Sequence, residues 1–399
     1  MATPSYLQSE LSAIINGRLH GKFAQVQSTT VTMNRAVRAV LGDMDMRSMK
    51  RTSPLSPNMF DEVYQYATPS DLKGDKIIDI RKQVNRDSVE HWLLMTETDF
   101  DRYKGIKPYR IALRDDSFSR LLLIDGVEGE ESTVIHNCDS LTANGTWAVV
   151  AGTDSSNLTL DTGNVVEGAG ALNFDMAKGA ATGAIELTGA TQVDLTDYDE
   201  IGSIFLWVFI PDYSDAQGDT VTNFILRWGN DTSNYWSVTV TTNHEGNTFH
   251  DGWNLLRFDW NGASETGTVA PAAIDYLRLT VTKSTSLEAD TDWRVDDIVC
   301  RLGDVYDVVY YSKYGWQTTA GVYIEESTTS TDLVIADTDE IEGIALKGAE
   351  LAAQELKEYT ELPYFRDEYL KWKMNYMKNN PSEALKVINK YAALPRFQK

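Results

Sequence analysis

Cysteine, histidine and long apolar runs are scarce in this sequence, and each scarcity excludes a class of protein. The 399-residue chain has two cysteines, Cys138 and Cys300, at a spacing typical of neither metal binding nor redox chemistry. Its five histidines form no H-E-x-x-H motif and neighbour no nucleophile motif. No run approaches the roughly 18 apolar residues of a membrane-spanning helix. These absences argue against a metalloprotease, a thiol redox enzyme and a helical membrane protein.

The N-terminus and the glycine pattern also lack familiar signals. Residues 1–19 carry polar side chains throughout, so we expect a protein made and kept in a cytoplasm unless a leader was removed. The stretch VEGAGAL at 166–172 contains G-x-G without a third glycine, and we interpret it as a turn. Carboxylate pairs are too abundant for any one of them to indicate a glycosidase. The sequence therefore predicts a protein that is not an enzyme, and cleavage of a polysaccharide is the weakest of three hypotheses.

Basic residues are few in the middle of the chain. Residues 136–303 hold 24 acids against 7 bases, a net charge of −17, together with seven of the ten tryptophans. Residues 1–135 hold 19 acids and 18 bases, and residues 304–399 hold 16 and 11. A step in composition at both ends of a block is typical of one domain inserted into another. We therefore predict a discontinuous domain, built from 1–135 and 304–399, that hosts an inserted domain at 136–303.

The two outer segments have mainly helical patterns. Apolar spacing and capping residues predict helices at 9–19, 28–43, 56–67, 337–359, 362–380 and 381–394. Short β-rich runs predict strands at 77–80, 92–95, 109–113, 120–124 and 304–316, with 322–326 as the hairpin partner of the last. We expect the strand at 120–124 to pair with the run at 308–314, so that the insert leaves from between them. The predicted fold class is α+β: a helical domain with a small antiparallel sheet, interrupted by an all-β domain.

The insert itself contains short β-branched and aromatic runs separated by Gly, Asn, Asp and Ser. Seven or more such runs predict an antiparallel β-sandwich, and a jelly roll in particular. In the run SIFLWVFI, Phe205, Trp207 and Phe209 point one way, and Leu206 and Val208 point the other. Because both faces are apolar, we expect this run to be an inner strand.

Aromatic residues of the insert are candidates for sugar stacking, since flat indole and phenol rings suit the faces of pyranose rings. The alternative is that they form the core and rim of the sandwich. The candidates are Trp228, Tyr235, Trp236, Trp253 and Trp260.

Acidic residues lie where the first and last strands of the insert are expected to meet. Carboxylates converging there would hold a structural Ca²⁺, and the alternative is a set of solvated edge carboxylates. The candidates are Asp139, Glu167, Asp296 and Asp297, and no other cofactor is predicted. Cys138 and Cys300 lie at the two ends of the same block, either as unpaired thiols or as a bridge.

Four local patterns in the outer segments resemble the head-to-tail adaptor (neck, or connector) proteins of tailed bacteriophages. They are TPSDLKGDKIIDIRK at 68–82, YYSKYGW at 310–316, VYIEESTTSTDLVIAD at 322–337 and IEGIALKGAELAAQEL at 341–356. The insert is similar to jelly-roll carbohydrate-binding modules at 135–147, 164–175 and 293–299. An inserted sandwich is not general among such adaptors.

The resemblance implies a virion structural protein, made in the host cytoplasm, that docks portal and tail proteins. Such adaptors form a ring of about twelve copies below the portal, in which repeated heterologous contacts close. DNA would pass through the channel without specific binding, because an acidic wall repels phosphate. The sandwich would face outward, since its negative copies repel each other less at a large radius. The alternative function is a tail or virion-surface protein that binds host glycans through the jelly roll.

Basic residues near the C-terminus are the candidates for portal or neighbour contact. A solvated lysine face is the alternative. The candidates are Lys371, Lys373, Lys378, Lys386, Lys390, Arg396 and Lys399.

Overall fold

A computed structural model describes most of the chain. It covers residues 5–54, 59–60, 63–82, 93–103, 110–115, 120–125, 132–176, 182–212, 220–284 and 290–384. The helices within these ranges are α1 (Gln8–Arg18), α2 (Thr29–Asp43), α3 (Glu97–Tyr103), α4 (Thr338–Glu355) and α5 (Leu362–Asn379). Within the same ranges, no helix is both long and apolar enough to cross a membrane.

The strands are short in the terminal segments and longer in the middle. Those before residue 130 are β1 (Ser5–Leu7), β2 (Lys50–Pro54), β3 (Met59–Phe60), β4 (Gln65–Ala67), β5 (Leu72–Lys82), β6 (Leu93–Leu94), β7 (Arg110–Asp115) and β8 (Arg120–Asp125). Those of the middle are β9 (Ser132–His136), β10 (Thr146–Val149), β11 (Ser155–Asp161), β12 (Ala171–Met176), β13 (Thr182–Thr188), β14 (Ser203–Ile210), β15 (Val221–Asp231), β16 (Asn234–Val240), β17 (Gly252–Asp259), β18 (Ser264–Thr266), β19 (Tyr276–Lys283) and β20 (Asp290–Arg301). The remaining strands are β21 (Gly303–Asp304), β22 (Tyr306–Ser312), β23 (Trp316–Gln317), β24 (Tyr323–Ile324) and β25 (Leu333–Ile335).

The chain divides into two compact units. One unit consists of Met1–Pro54, Thr68–Leu94 and Asp307–Lys399, and the other consists of Leu55–Ala67 and Met95–Tyr306. Both ends of the chain therefore belong to the first unit. Residues 55–67 and 95–135, which the charge step placed with the N-terminal segment, belong to the second unit together with the acidic block.

The predicted fold class is wrong, because the part of the chain that the structure describes is mainly β, with 43% strand and 25% helix. The largest difference lies at 56–67, where Pro57 and the early acids predicted a helix. The described part of this stretch contains strands β3 and β4, which pair with β21 and β8. Partner strands distant in sequence override a local helix signal when they offer backbone hydrogen bonds and apolar contacts.

The first unit packs helices α1, α2, α4 and α5 around one apolar core. Sequence signals at the helix ends explain where two of these helices begin. The Val31 amide donates to the Ser28 side chain at 3.3 Å, and the Asp337 carboxylate accepts from the amides of Asp339 and Glu340. In α4, a Cβ on Gly348 would lie 2.5 Å from Ile15 Cδ1, so a larger residue there would have to displace the Ile15 side chain of α1.

Two small sheets complete the first unit. Their strand orders are β2-β22-β5 and β1-β25-β23-β24. The β23–β24 pairing confirms the predicted hairpin around Thr319–Gly321. The predicted pairing of the strand at 120–124 with the run at 308–314 is wrong, since β8 pairs with β4 and β7, whereas β22 pairs with β2.

The second unit contains a β-sandwich of the jelly-roll type, as the strand pattern of 136–303 predicted. One sheet has the strand order β10-β13-β19-β15-β16-β18, and we call it the convex sheet. The other has the order β11-β12-β20-β14-β17, with β9 also paired to β20, and we call it the cleft sheet. A single apolar core lies between them and includes Trp228, Trp293 and Phe258, which are all fully buried.

Candidate functional site

Strand β14 supplies the aromatic side chains of the candidate site. Its residues Ile204, Leu206 and Val208 lie in the sandwich core. Because successive side chains in a strand point to opposite faces, Phe205, Trp207 and Phe209 lie on the outer face of the cleft sheet. Strand β14 sits between β20 and β17, which confirms that SIFLWVFI is an inner strand.

Neighbouring strands extend this aromatic face. On β17, Trp253 lies opposite Phe209, with ring centroids 5.5 Å apart at 72°. On β20, the Arg294 guanidinium lies 4.7 Å from the Phe209 ring centroid and pairs with Asp161 at 2.5 Å. An edge-to-face pair and a cation–π contact hold the Phe209 ring from both sides. Trp253 and Trp207 remain half-buried, so part of each indole is open to a ligand.

A cleft of about 700 Å³ lies along this face. Its apolar floor is formed by Phe205, Trp207, Leu255 and Val299. Its polar lining comes from the side chains of Gln65, Ser132, Glu167, Asp297 and Arg301. A concave site with an apolar floor and a few convergent polar groups is the usual form of a small-ligand site.

A smaller recess of about 260 Å³ shares Gln65, Trp207 and Leu255 with the cleft. Its other lining residues, from the β16–β17 loop and from β17, are Asn243, Glu245, Asn247, His250, Trp253 and Asn254, together with Leu121. Carboxamide, carboxylate and imidazole groups beside indole rings can hydrogen-bond hydroxyl groups of a ligand whose apolar face rests on the rings.

The β16–β17 loop is held in place by its own hydrogen bonds. The Asn247 amide donates to Asn243 Oδ1 at 2.8 Å, and the Asn254 side chain donates to the His250 carbonyl at 2.7 Å. The His244 amide donates to the Leu255 carbonyl at 2.7 Å, which joins the loop to β17. The recess is therefore preformed, and binding need not order it.

His244 lies under this loop and is buried against aromatic rings. Its ring centroid is 5.3 Å from that of Phe205 and 5.4 Å from that of Tyr66. Burial, with the nearby positive charge of Arg257, lowers the pKa of His244 to about 3. His244 is therefore neutral at physiological pH, and its ring contributes packing contacts but no charge.

The 162–170 loop forms another wall of the cleft. The Trp253 indole N–H donates to Asn164 Oδ1 of this loop at 3.0 Å, which sets the orientation of the indole. Two buried or half-buried carboxylates fasten the loop from below. Asp139 Oδ1 accepts from the Gly170 amide at 2.7 Å, and Asp296 Oδ2 accepts from the Val166 amide at 2.8 Å.

These two carboxylates were predicted as calcium ligands. In the structure Asp139 Oδ1 and Asp296 Oδ2 accept from backbone amides. Asp296 is completely buried, and its Oδ1 has no hydrogen-bond partner among the described residues. Burial raises the pKa of Asp296, and the negative charge of Asp139 adds to the rise. Asp297 and Glu167 line the cleft. Among the described residues, no three His, Cys, Asp or Glu side chains are grouped to hold a metal ion, and the calcium site stays a prediction from the sequence.

The two cysteines are free thiols buried in the sandwich core. Of the two alternatives, unpaired thiols or a disulfide bridge, the structure therefore has unpaired thiols. Burial raises the pKa of Cys138, with the charges of Asp296 and Asp297 adding to the effect. A thiol that stays protonated is a poor nucleophile. Cys138 and Cys300 therefore act as small core side chains.

The five aromatic residues predicted to stack on sugar do not come together. Trp228, Trp236 and Trp260 are 0%, 8% and 3% exposed and pack on one another in the core, which is the alternative given above. Tyr235 lies on the outer face of the convex sheet, and Trp253 is in the cleft. Trp207, which completes the cleft, was missed as a site residue. The alternation of Phe205, Trp207 and Phe209 with Leu206 and Val208 was the nearest signal, but it does not say which of the two faces lies outside the core.

The predicted basic contact residues are only partly described. On α5, Lys371 pairs with Glu368 at 2.7 Å and Lys373 pairs with Asp43 at 3.2 Å. Lys378 is exposed on the same helix. The remaining four, Lys386, Lys390, Arg396 and Lys399, lie outside the described residues.

No protein-family model and no curated protein matches the chain. Among solved structures, the family 30 carbohydrate-binding module of a Clostridium thermocellum cellulosomal cellulase is 14% identical, over 44% of this chain and 96% of its own, with a TM-score of 0.29. The CBM27-1 module of Caldicellulosiruptor saccharolyticus is 12% identical, over 42% and 96%, with a TM-score of 0.29. An exo-β-agarase is 10% identical over 43% of this chain, which matches only 25% of the agarase, with a TM-score of 0.30. The similarity covers less than half of this chain, and likeness at this level carries no argument about function.

Proposed function

We propose that the sandwich binds carbohydrate, without cleaving it, in the cleft beside Trp207 and Trp253. The observation that carries the proposal is the pair of half-buried indoles that border a preformed recess lined by amide and carboxylate side chains. Sugar rings have apolar C–H faces and polar hydroxyl edges. The cleft offers a surface for each, with flat rings below and hydrogen-bonding groups at the side.

The volumes of the recess and the cleft suit an oligosaccharide rather than a single sugar. The recess of about 260 Å³ has room for one sugar unit, and the adjoining cleft of about 700 Å³ continues past Trp207. Trp207 lines both, so a chain of sugar units would cross this indole as it leaves the recess.

The test is a glycan array followed by calorimetry on the full chain. We expect the wild type to bind at least one glycan. The Trp207→Ala/Trp253→Ala variant should lose about 30-fold in affinity or more, since removing a buried aromatic anchor costs about 2 kcal/mol. Tyr364→Ala, which removes an aromatic ring that is 60% exposed on α5, is the matched control and should bind normally. No binding by the wild type, or undiminished binding by the double variant, would overturn the proposal.

The head-to-tail adaptor role stays a prediction from sequence resemblance. The helical fold class on which it partly rested is wrong, and the comparisons add nothing to it. A ring of copies, portal and tail partners, and a place in the virion are tested by co-assembly with a portal protein. Deletion of residues 392–399 should weaken that assembly if the basic tail is the contact, and unchanged assembly would argue against it.

A further inference from the structure

Two arginines lie opposite each other on the outer face of the convex sheet. Arg227 of β15 and Arg278 of β19 are register partners. Their chain neighbours Trp228 and Leu277 point into the sandwich core. Because side chains alternate along a strand, both arginines lie on the opposite, outer face, where directly opposed residues are the closest cross-strand neighbours.

This arrangement is unfavourable for folding. Like charges directly opposite each other destabilise an antiparallel sheet. The block 136–303 has only 7 basic residues against 24 acids, yet two of the seven are placed side by side. A pattern that costs stability without helping the fold is typical of a functional surface.

The side chains that contact these arginines are tyrosines. The Arg227 guanidinium lies 4.7 Å from the Tyr235 ring centroid, and the Arg278 guanidinium lies near the Tyr276 hydroxyl. The two tyrosine rings are 6.5 Å apart, on either side of Gly229, which is the register partner of both. A Cβ on Gly229 would lie 2.2 Å from the Asn234 carbonyl oxygen, so the floor between the rings stays bare backbone.

The two arginines and their cross-strand neighbours, which we call the arginine patch, have a positive net charge. The Nε atoms of Arg227 and Arg278 are buried and have no hydrogen-bond partner in the described part of the chain. Glu186 is the register partner of Arg278 on its other side, and its carboxylate lies 3.5 Å from the Tyr276 hydroxyl. Arg227 has Ser237 on its other side. Four residues therefore lie side by side across the strands, in the order Glu186, Arg278, Arg227 and Ser237. They include one carboxylate and two guanidinium groups.

The chemistry of the patch selects a ligand class. A guanidinium group binds a carboxylate with two parallel hydrogen bonds, and an aromatic ring at its edge can cover an apolar sugar face. A dense polyanion would be repelled by the net charge of −17 that surrounds the patch. We propose that Arg227 and Arg278, bordered by Tyr235, form a second binding site for a carboxylate carried by an otherwise neutral sugar, as in a uronic acid.

This site does not depend on the cleft, because it lies on the other sheet. The probe is glucuronic acid, with glucose as the uncharged counterpart, titrated into the full chain by calorimetry and amide NMR. We expect glucuronic acid to bind saturably and at least tenfold more tightly than glucose. The Trp207→Ala/Trp253→Ala variant should keep this binding, so failure of the cleft proposal and failure of this one are distinguishable.

The Arg227→Gln/Arg278→Gln variant is expected to bind glucuronic acid at least tenfold more weakly. The matched control is Arg38→Gln/Lys371→Gln, which removes the same charge from side chains that are 57% and 70% exposed in the other unit. It should bind within twofold of the wild type. The glutamine variant should also melt at the same temperature as the wild type or higher, because an opposed like-charge pair has been removed; a structural role would lower it.

Three results would overturn the proposal. They are no saturable binding of glucuronic acid by the wild type, an equal loss in the control variant, and tighter binding of duplex DNA than of glucuronic acid at the same salt concentration. If the glutamine variant does not fold, Arg227→Lys/Arg278→Lys replaces it. That variant keeps both charges and loses the planar fork, so we expect at least fivefold weaker binding, and unchanged affinity would also overturn the proposal.

Discussion

Replacing Gly168 with alanine tests whether Asp139 fastens the loop that borders the cleft. Gly168 has φ +67°, and a Cβ there would lie 2.6 Å from Asp139 Oδ1. That same oxygen accepts from the amides of Ala169 and Gly170 at 2.5 and 2.7 Å. The added methyl group would therefore both strain the backbone and push away the carboxylate that holds the next two residues.

The magnitude follows from these two effects. A left-handed conformation costs a non-glycine residue about 1–2 kcal/mol. Loss of two hydrogen bonds to a charged group costs about 1.5 kcal/mol each, or more. We therefore expect Gly168→Ala to lower the free energy of unfolding of the second unit by about 4–5 kcal/mol. Gly189→Ala is the matched control, because Gly189 has φ +62° and no atom within 4 Å of the built Cβ, so only the first cost applies.

The assay is guanidinium unfolding followed by tryptophan fluorescence. Seven of the ten tryptophans lie in residues 136–303, so the signal reports mainly on the sandwich. The same measurement on Asp139→Ala/Gly168→Ala completes a double-mutant cycle. Once Asp139 is absent, adding the methyl group should cost only about 1–2 kcal/mol, as in the Gly189 control.

Two results would refute the argument. One is a cost for Gly168→Ala within 0.5 kcal/mol of the cost for Gly189→Ala, on the order of experimental error. The other is a Gly168→Ala penalty that stays the same when Asp139 is already alanine. Either would mean that the carboxylate does not hold this loop.

Two further predictions concern buried charge. The pKa of Asp296 is raised by burial, so the contribution of this carboxyl to stability is fully present below its ordinary pKa of about 3.9 and is lost as pH rises through the raised pKa. The melting temperature of the wild type relative to Asp296→Asn should therefore fall as pH rises above about 4, and a pH-independent difference would contradict this. In the first unit, Arg51 and Asp71 pair at 3.1 Å with side chains 9% and 12% exposed, so Arg51→Met leaves a buried carboxylate and should cost about 3 kcal/mol in chemical unfolding. Arg38→Met breaks an exposed pair with Glu326 and should cost less than about 1 kcal/mol, and equal costs for the two variants would count against the argument from burial.

Local signals accounted for the helices of the first unit. The apolar spacing, the candidate cap Ser28 and the acids that begin with Asp337 predicted α2 and α4 to within a few residues, because a helix makes its hydrogen bonds within its own segment. The same kind of signal failed at 56–67. There the described residues form β3 and β4, whose hydrogen-bond partners lie at Gly303–Asp304 and Leu121–Leu123. A strand depends on its partner, and the partner cannot be read from the strand's own sequence.

The aromatic residues of the candidate site could likewise be predicted only in part from the sequence. Alternation along β14 could be read directly, but it did not say which side faces the core. In β15 and β16 the indoles of Trp228 and Trp236 point inward, whereas Trp207 and Trp253 point outward. Composition alone therefore could not separate core tryptophans from cleft tryptophans.

By itself, the sequence determined the sandwich, the acidic middle of the chain and the main helices, because periodicity, capping and charge are properties of neighbouring residues. Only the tertiary structure decided which indoles border the cleft, that Asp139 and Asp296 hold a loop, and that Arg227 faces Arg278. Each of these depends on register between strands far apart in the chain. Register is set by how the whole core packs, and a shift of one residue in a strand would move all the side chains of that strand to the other face.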